Sequence, residues 1–170
     1  MIAIKQITLS ELPELQKISR QTFLDTFGSD NSAANMKAYL DHAYGDEPLT
    51  KELTDPNSFF FFAEDNQQIL GYLKLNINQA QTETQGPTAL EIERIYVNKA
   101  FKHQGLGTKL FQKAIEVAKY HGKSEIWLGV WENNAAALKF YHKLGFEQIG
   151  DHVFQLGDDP QRDLIMLKKL

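Results

Sequence analysis

The order of hydrophobic periodicities between residues 89 and 131 restricts the fold more than any other feature of the sequence. Apolar residues alternate in "ALEIERIYV" (89–97), recur at helical spacing between 110 and 118, and run almost continuously through "EIWLGVW" (125–131). A strand, a helix and a second strand in this order form a right-handed crossover that joins two parallel strands. The sequence therefore predicts an α/β unit in this part of the chain.

Antiparallel pairing is predicted on both sides of this unit. The runs "FFFFAE" and "ILGYLKLNI" are typical of a hairpin that turns at "EDNQQ". Two further strands, at roughly 146–156 and 162–169, turn at "GDDP". A first strand is predicted in "AIKQITL", close to the N-terminus. The polar loop "NQAQTETQGPT" is predicted to be the most flexible segment.

Helices are predicted in four places. The first begins with Ser10 as its N-cap and ends at Gly28, and the second runs from Ser32 to Gly45. The third follows "FKHQGLGTKL" at 101–110, and the fourth lies in "NNAAALKFYHKLGF". Together the elements predict an α/β (α+β mixed) fold. We expect a single domain over residues 1–170, with a mixed central sheet of about seven strands flanked by about four helices.

The composition excludes several classes of function. The absence of cysteine removes disulfides, thiolate metal sites and a cysteine nucleophile. A net charge of −4 argues against nucleic acid as a partner, because that binding depends on phosphate neutralisation. The five histidines show no paired metal-ligand spacing, so no metal is expected. The N-terminus has no signal peptide and the apolar run "FFFFA" is too short for a bilayer, which predicts a cytoplasmic protein without a membrane partner.

The stretch "FKHQGLGTKL" matches neither of two common phosphate-binding motifs. Leu110 stands where the third glycine of the dinucleotide fingerprint is required, and Thr108 and Lys109 are in the wrong order for a Walker loop. A short basic loop with G-x-G before a helix still suits an anion, because free amides and the helix dipole point at the ligand. A surface turn with solvated lysines is the alternative. The loop alone does not decide between them.

A second motif changes this balance. The pattern K-x-x-G-x-G at 102–107, followed after a strand by N-x-x-A-x-x-F-Y-x-K-x-G-F at 134–146, resembles the two main motifs of the GCN5-related N-acetyltransferase (GNAT) family. The segments "TFLDTF", "NMKAYL" and "GDHVFQLGDDPQRDLIM" are similar to those of the PaiA-type spermidine/spermine N-acetyltransferases within it. The resemblance extends over almost the whole chain.

The resemblance implies acetyl-CoA as the cosubstrate and no metal. In that family the first motif binds the pyrophosphate, the preceding strand pairs with the pantetheine arm, and the second motif lies along the cofactor. Lys102 departs from the glutamine or arginine that is usual there, and a lysine binds phosphate as a point charge rather than as a fork. The implied cofactor-binding residues are Ile95, Tyr96, Val97, Lys102, His103, Gln104, Gly105, Leu106, Gly107, Thr108, Asn134, Ala137, Tyr141 and Lys143.

Acetyl transfer to an amine requires a proton acceptor. An aliphatic amine with a pKa near ~10.4 is protonated about 2,500 to 1 at pH 7. Glu91 and Glu93 are the candidate bases, acting directly or through a water, and strict alternation places them on the same face as Ile95 and Val97. Glu93 is the stronger candidate because it is nearer the cofactor end. The alternative is that both are solvated or paired with Arg94 or a lysine.

The leaving thiolate requires a proton donor, and Tyr141 matches the family's general-acid position. A core tyrosine with a satisfied hydroxyl is the alternative. Because there is no cysteine to carry an acetyl group, we expect direct attack in a ternary complex.

The expected function is acetyl transfer from acetyl-CoA to a small-molecule primary amine, a polyamine such as spermidine or spermine. Other acceptors remain open, namely a protein lysine or N-terminus, an amino acid or an aminoglycoside. A non-catalytic CoA-binding regulatory module is also open. Exposed strand ends could support a homodimer.

Overall fold

The computed structural model describes residues 1–170, and its central feature is one mixed sheet between two groups of helices. The bounds of the helices and strands follow in chain order: β1 Ile2–Gln6, α1 Leu12–Phe27, α2 Ala33–Ala43, α3 Asp46–Leu53, β2 Ser58–Asp65, β3 Gln68–Ile77, β4 Ala89–Val97, α4 Leu106–Tyr120, β5 Glu125–Trp131, α5 Ala135–Lys143, β6 Glu147–Leu156 and β7 Asp159–Lys169. None of the helices combines the length and the apolar character needed to cross a membrane.

The seven strands are ordered β1-β2-β3-β4-β5-β7-β6, and only the β4–β5 pair is parallel. One face of the sheet packs against α4 and α5 around Leu73, Leu75 and Leu110. The other face packs against α1, α2 and α3 around Phe62 and Tyr72. This confirms the predicted α/β class and the seven-stranded mixed sheet.

The parallel strands separate soon after they meet. Only Ala89–Glu91 of β4 pairs with Glu125–Trp127 of β5, although both strands continue beyond this point. The remaining backbone groups on the facing edges of the two strands have no partner strand. A gap therefore opens in the middle of the sheet, toward the carboxyl ends of the parallel strands.

A β-bulge in β4 lies where the separation begins. Lys74 of β3 pairs with Arg94 and the next residue, Leu75, pairs with Ile92, so Glu93 is an extra residue without a partner. The extra residue reverses the alternation of side chains. Ile95 consequently packs with the α4 side of the sheet, as Ile92 does. The predicted common face of Glu91, Glu93, Ile95 and Val97 is therefore wrong, because regular alternation does not survive a bulge.

The N-terminal helices also differ from the predicted ones. Ser10 is not the N-cap of α1, because it lies within a 3-10 turn, Leu9–Glu11, that a capping box between Thr8 and Glu11 begins. Glu11 is the N-cap residue of α1 and makes no side-chain cap. Ser32 caps α2 as predicted, by accepting a hydrogen bond from the backbone N–H of Asn35 at 3.1 Å. Gly45 does not end that helix but is the extended N-cap residue of α3, which makes five α-helices rather than about four.

Candidate active site

A cleft of about 1030 Å³ passes through the gap between β4 and β5. On the α4 and α5 side it is lined by the glycine loop and by α5. On the opposite side it is lined by α1, α2, the 81–88 loop, β6 and β7. The cleft therefore has two halves that meet where the strands separate, and both predicted motifs contribute to the first half.

The first turn of α4 forms one end of this cleft. Gly105 precedes the helix in the left-handed conformation at φ 77°, and no side chain caps the helix. The first turn carries no acidic residue, and Lys102 and Lys109 lie on either side of it. The uncapped amides of a 15-residue helix and its dipole favour an anion here.

The two glycines of the loop have different roles. A Cβ atom on Gly105 would meet no protein atom within 4 Å, so the space above it is open to a ligand. A Cβ atom on Gly107 would lie 3.2 Å from Cζ of Phe140, which shows that this glycine permits close packing of α4 on α5. Both glycines line the cleft, but only the space above Gly105 is free of protein atoms.

Most of the predicted cofactor-binding residues are brought together by the fold. Gln104 and Lys143 do not line the cleft, and both side chains are exposed. The predicted residues that do line it are Ile95, Tyr96, Val97, Lys102, His103, Gly105, Leu106, Gly107, Thr108, Asn134, Ala137 and Tyr141.

The second motif positions an aromatic hydroxyl beside the gap. Asn134 begins α5, where its side-chain oxygen accepts a hydrogen bond from the backbone N–H of Ala137 at 3.2 Å. Two turns later Tyr141 is buried against Phe140 and Phe146, and it also lines the cleft. Burial raises the pKa of the Tyr141 phenol well above its usual range, so the hydroxyl stays protonated at physiological pH.

Glu93 belongs to a buried network of two carboxylates and two cations. Its carboxylate lies 2.6 Å from Nζ of Lys74 and 3.0 Å from Nη2 of Arg94. Glu52 of α3 is also paired with Lys74, and its carboxylate lies 2.9 Å from Nη1 of Arg94. Burial alone would raise the pKa of Glu93, but Arg94 and Lys74 outweigh it and lower the pKa to about 2. Such a carboxylate is a weak proton acceptor at neutral pH.

Glu91 is held by neutral partners instead. It accepts hydrogen bonds from Asn76 at 2.9 Å and from the backbone N–H and the hydroxyl of Thr82. Burial, together with the nearby charge of Glu93, raises the pKa of Glu91. Both predicted bases line the cleft, and both are already engaged in contacts within the protein.

The half of the cleft opposite α4 contains residues that the sequence did not single out. Its walls carry the aromatic rings of Phe27, Tyr39, Trp131 and Phe154, which contact one another in tilted, stacked and edge-on pairs. Hydrophobic periodicity alone could not separate these rings from ordinary core residues.

An acid–imidazole cluster lies in the same half. His152 of β6 contacts Glu83 of the 81–88 loop and Asp163 of β7. This loop is part of the segment "NQAQTETQGPT" (78–88), for which the sequence predicts flexibility. In the structure Gln81 accepts a hydrogen bond from the indole of Trp127, and the backbone N–H of Thr82 donates one to Glu91. The alternation of His152 and Phe154 in β6 was the available sign that this hairpin faces the cleft. No group of three histidine, aspartate or glutamate side chains is arranged to hold a metal ion.

Comparison with known protein families and proteins gives matches over most of the chain. Residues 14–146 match the model of the "Acetyltransferase (GNAT) family". An uncharacterized N-acetyltransferase of Lactobacillus delbrueckii subsp. lactis is 45% identical over 169 residues, which cover 99% of this chain and 98% of that one. The N-alpha-acetyltransferase 30 of Schizosaccharomyces pombe is 34% identical over 113 residues, or 58% of this chain and 72% of that protein.

The fold has a solved counterpart. The PaiA N-acetyltransferase of Thermoplasma acidophilum, whose crystal structure is a complex with coenzyme A, superposes with a TM-score of 0.79 at 22% identity. The match covers 100% of this chain and 99% of that one. The predicted resemblance to PaiA-type proteins is thereby confirmed at the level of the fold.

Substitution of Gly105 tests the anion site. We expect Gly105→Ala to raise the Kd for CoA by roughly tenfold, about 1.4 kcal/mol, because the added methyl group occupies the open space above the loop. Isothermal titration calorimetry with CoA measures this change.

Gly122, at the other end of α4, provides a matched control. It too has a positive φ, 69°, and open space at the Cβ position. Gly105→Ala and Gly122→Ala should each lower the free energy of unfolding by about 1 kcal/mol, from left-handed strain. Only the first should weaken CoA binding. Equal effects on CoA affinity would mean that the loop does not bind the cofactor.

The buried network predicts a pH-dependent contribution to stability. Because the pKa of Glu93 falls from 4.5 to about 2 on folding, its contribution is fully present above pH 4.5 and is lost as pH falls toward 2. We expect Glu93→Gln to lower the free energy of unfolding by about 3 kcal/mol at pH 7 and by progressively less below pH 4.5. Urea unfolding at pH 7, 4 and 3 measures the difference, with the exposed Glu116→Gln as the control. A difference independent of pH would contradict the assignment.

Proposed function

The chain belongs to the acetyltransferase (GNAT) family, and we propose that it transfers the acetyl group of acetyl-CoA to a primary amine, with a polyamine such as spermidine or spermine as the acceptor. The observation that carries the proposal is the gap between β4 and β5, which connects an anion-binding helix start to an acidic and aromatic half of the same cleft. A cytoplasmic location stays a prediction.

The side of the cleft lined by the glycine loop and α5, called here the cofactor half, supports a defined position for acetyl-CoA. We propose that the pyrophosphate lies against the amides of the first turn of α4, with Lys102 as a point charge beside it. The pantetheine arm then occupies the gap, where the backbone of Ile95, Tyr96 and Val97 has no partner strand on the β5 side. A backbone amide in this segment can donate a hydrogen bond to the oxyanion that forms during attack. The thioester thus reaches the point where the two halves meet.

Tyr141 supports the proposed role of general acid. Its phenol lines the cleft beside the gap, and it makes no hydrogen bond within the protein. The raised pKa keeps the hydroxyl protonated, so that it can donate to the sulfur as the C–S bond breaks. Tyr141 can belong to the hydrophobic core and still have this role, because its ring packs against core residues while the residue also lines the cleft.

The half of the cleft opposite α4, called here the acceptor half, supports a cationic substrate of some length. Glu83, Glu91 and Asp163 contribute carboxylates, and Trp131, Phe27 and Tyr39 contribute ring faces on which an ammonium group can bind. Arg94 and Glu93 neutralise each other within the buried network, so they add little net charge to the wall. Several acidic positions along an aromatic channel suit several amines along one chain, as in a polyamine.

The proposed base role of Glu91 or Glu93 stays a prediction. The contacts of both carboxylates oppose this role. To accept a proton, Glu93 would give up its ion pairs with two cations, and Glu91 would give up hydrogen bonds from Thr82 and Asn76. A water between Glu91 and the amine is the form of this role that the contacts allow.

A protein N-terminus is the second candidate acceptor. It is favoured by a relative over 58% of the chain that is named an N-alpha-acetyltransferase. An α-amino group is less basic than a polyamine amine, so it needs less help to lose its proton.

An amine panel tests the function. Incubation with acetyl-CoA and spermidine, spermine, lysine peptides, peptides with free N-termini, amino acids or aminoglycosides should release free CoA thiol fastest with the polyamines. Preference for a peptide N-terminus would replace the acceptor but keep the reaction. No amine-dependent release with any acceptor would contradict catalysis and leave the chain as a non-catalytic CoA-binding module.

Tyr141→Phe tests the proton donor. We expect kcat to fall roughly 100-fold while the Kd for CoA stays within about twofold, because the ring is retained and only the hydroxyl is lost. Tyr120→Phe is the control, since Tyr120 is exposed at the far end of α4. An unchanged kcat in Tyr141→Phe would remove this residue as the acid.

A further inference from the structure

The acid–imidazole cluster lies directly above the gap. His152 and Asp163 are cross-strand partners in the β6–β7 hairpin, on the face of the sheet that forms the acceptor half of the cleft. Beneath them is Gly129 of β5, whose missing side chain leaves room for the ring. A Cβ atom there would lie 3.4 Å from Cε1 and 3.6 Å from Nε2 of His152, and 3.7 Å from Oδ2 of Asp163.

Gly129 belongs to the part of β5 that has already separated from β4. Pairing between the two strands ends at Trp127, two residues earlier, and Gly129 is exposed within an otherwise buried strand. The imidazole of His152 therefore borders the stretch of the gap in which the thioester is proposed to lie. It is half-buried, with 29% of its side chain exposed, so an incoming amine can reach it.

The two carboxylates orient the imidazole. Nδ1 of His152 lies 2.7 Å from Oε2 of Glu83, a short contact in which the ring N–H donates to the carboxylate. Nε2 lies 3.3 Å from Oδ2 of Asp163, a longer contact. With Nδ1–H donating to Glu83, an ammonium group that takes over the contact with Oδ2 of Asp163 leaves Nε2 as the proton acceptor, which is the arrangement of an oriented histidine base.

We infer that His152 is the general base of the transfer reaction, that Glu83 is the residue that positions its ring, and that Asp163 binds the acceptor ammonium beside it. This inference rests on the proposed function, because it needs an amine acceptor. Imidazole is the side chain best suited to exchange a proton near neutral pH.

The proton balance of the step is complete. The ammonium group R–NH₃⁺ binds at Asp163 and transfers one proton to Nε2, which gives R–NH₂ and an imidazolium held by Glu83. The nitrogen lone pair then forms a bond to the thioester carbon, and the C–S bond breaks with its electrons on sulfur. Sulfur takes a proton from Tyr141. The nitrogen, which still carries two protons after the C–S bond breaks, returns one of them to the Tyr141 phenolate. The imidazolium releases its proton to solvent, so the sum is R–NH₃⁺ and acetyl-CoA giving R–NH–acetyl, CoA–SH and H⁺.

The other titratable groups that face this half of the cleft are less suited to the role. Glu93 is paired with Lys74 and Arg94, and Glu91 is held by Asn76 and Thr82. Burial raises the pKa of the Tyr39 phenol to about 12, so it does not accept a proton as a neutral group.

A pair of acceptors that differ in basicity tests the inference. The acceptors are 1,4-diaminobutane and its 2,2-difluoro analogue, whose fluorines lower the pKa of the neighbouring amine so that much of it is already unprotonated. We expect His152→Gln to lower kcat/KM by roughly 100-fold with 1,4-diaminobutane. With the difluoro analogue, kcat/KM for acetylation of the amine next to the fluorines should fall by less than about tenfold. ¹⁹F NMR measures acetylation of that amine. Glu83→Gln should show the same selectivity with a smaller loss, because it misorients the ring without removing it.

Two controls separate catalysis from folding and from the wider proposal. His42→Gln changes an exposed histidine of α2 that does not line the cleft, and it should leave both rates unchanged. The Kd for CoA should stay within about twofold in all three variants. Equal losses of kcat/KM with both acceptors, or no loss, would overturn the base role while leaving acetyl transfer intact. If the wild-type protein acetylates no amine at all, acetyl transfer and the base role are both wrong.

Discussion

The separation of β4 from β5 is the constraint on which the rest of the molecule depends. Backbone groups in the middle of a sheet are normally paired, and leaving them without partners is costly unless a ligand or water takes their place. Here the pairing stops after three residue pairs. The fold thus keeps a row of hydrogen-bonding groups free where the cleft passes through the sheet. Every residue proposed to act in catalysis lies along this opening.

The bulge at Glu93 and its buried charges explain how the opening is maintained. An extra residue in β4 bends the strand and increases its twist, which carries its C-terminal half away from β5. The same residue pairs with Lys74 and Arg94, and Glu52 of α3 completes a set with no net charge. Buried ion pairs of this kind contribute little net stability compared with apolar packing, but removing one partner is expensive. The network therefore fixes the position of the bulge more than it adds to the free energy of folding.

Local patterns in the sequence were sufficient for the strands and for four of the five α-helices, but not for α3 or for the irregularities of the sheet. The bounds of β4 and β5 and the Ser32 cap follow from residue types at fixed spacing. The bulge does not, because alternation in "ALEIERIYV" looks regular whether or not Glu93 has a partner. Alternation in "ILGYLKLNI" places Lys74 and Asn76 opposite Leu73 and Leu75, but only the position of α3 makes their face of β3 a buried one.

The acceptor half of the cleft shows why a motif reveals cofactor binding sooner than it reveals proton transfer. The cofactor half is built from residues that are close in sequence, at the start of α4 and in α5. Its binding groups can therefore be recognised from a local sequence pattern. His152 contacts Asp163 across a hairpin, 11 residues away in the sequence, and Glu83 of the 81–88 loop, 69 residues away. No spacing rule joins these three positions, since their contact depends on the order of β5, β7 and β6 in the sheet. With the proposed roles, changes in this hairpin and in the 81–88 loop would alter the acceptor and the base, while the glycine loop and Tyr141 remain as they are.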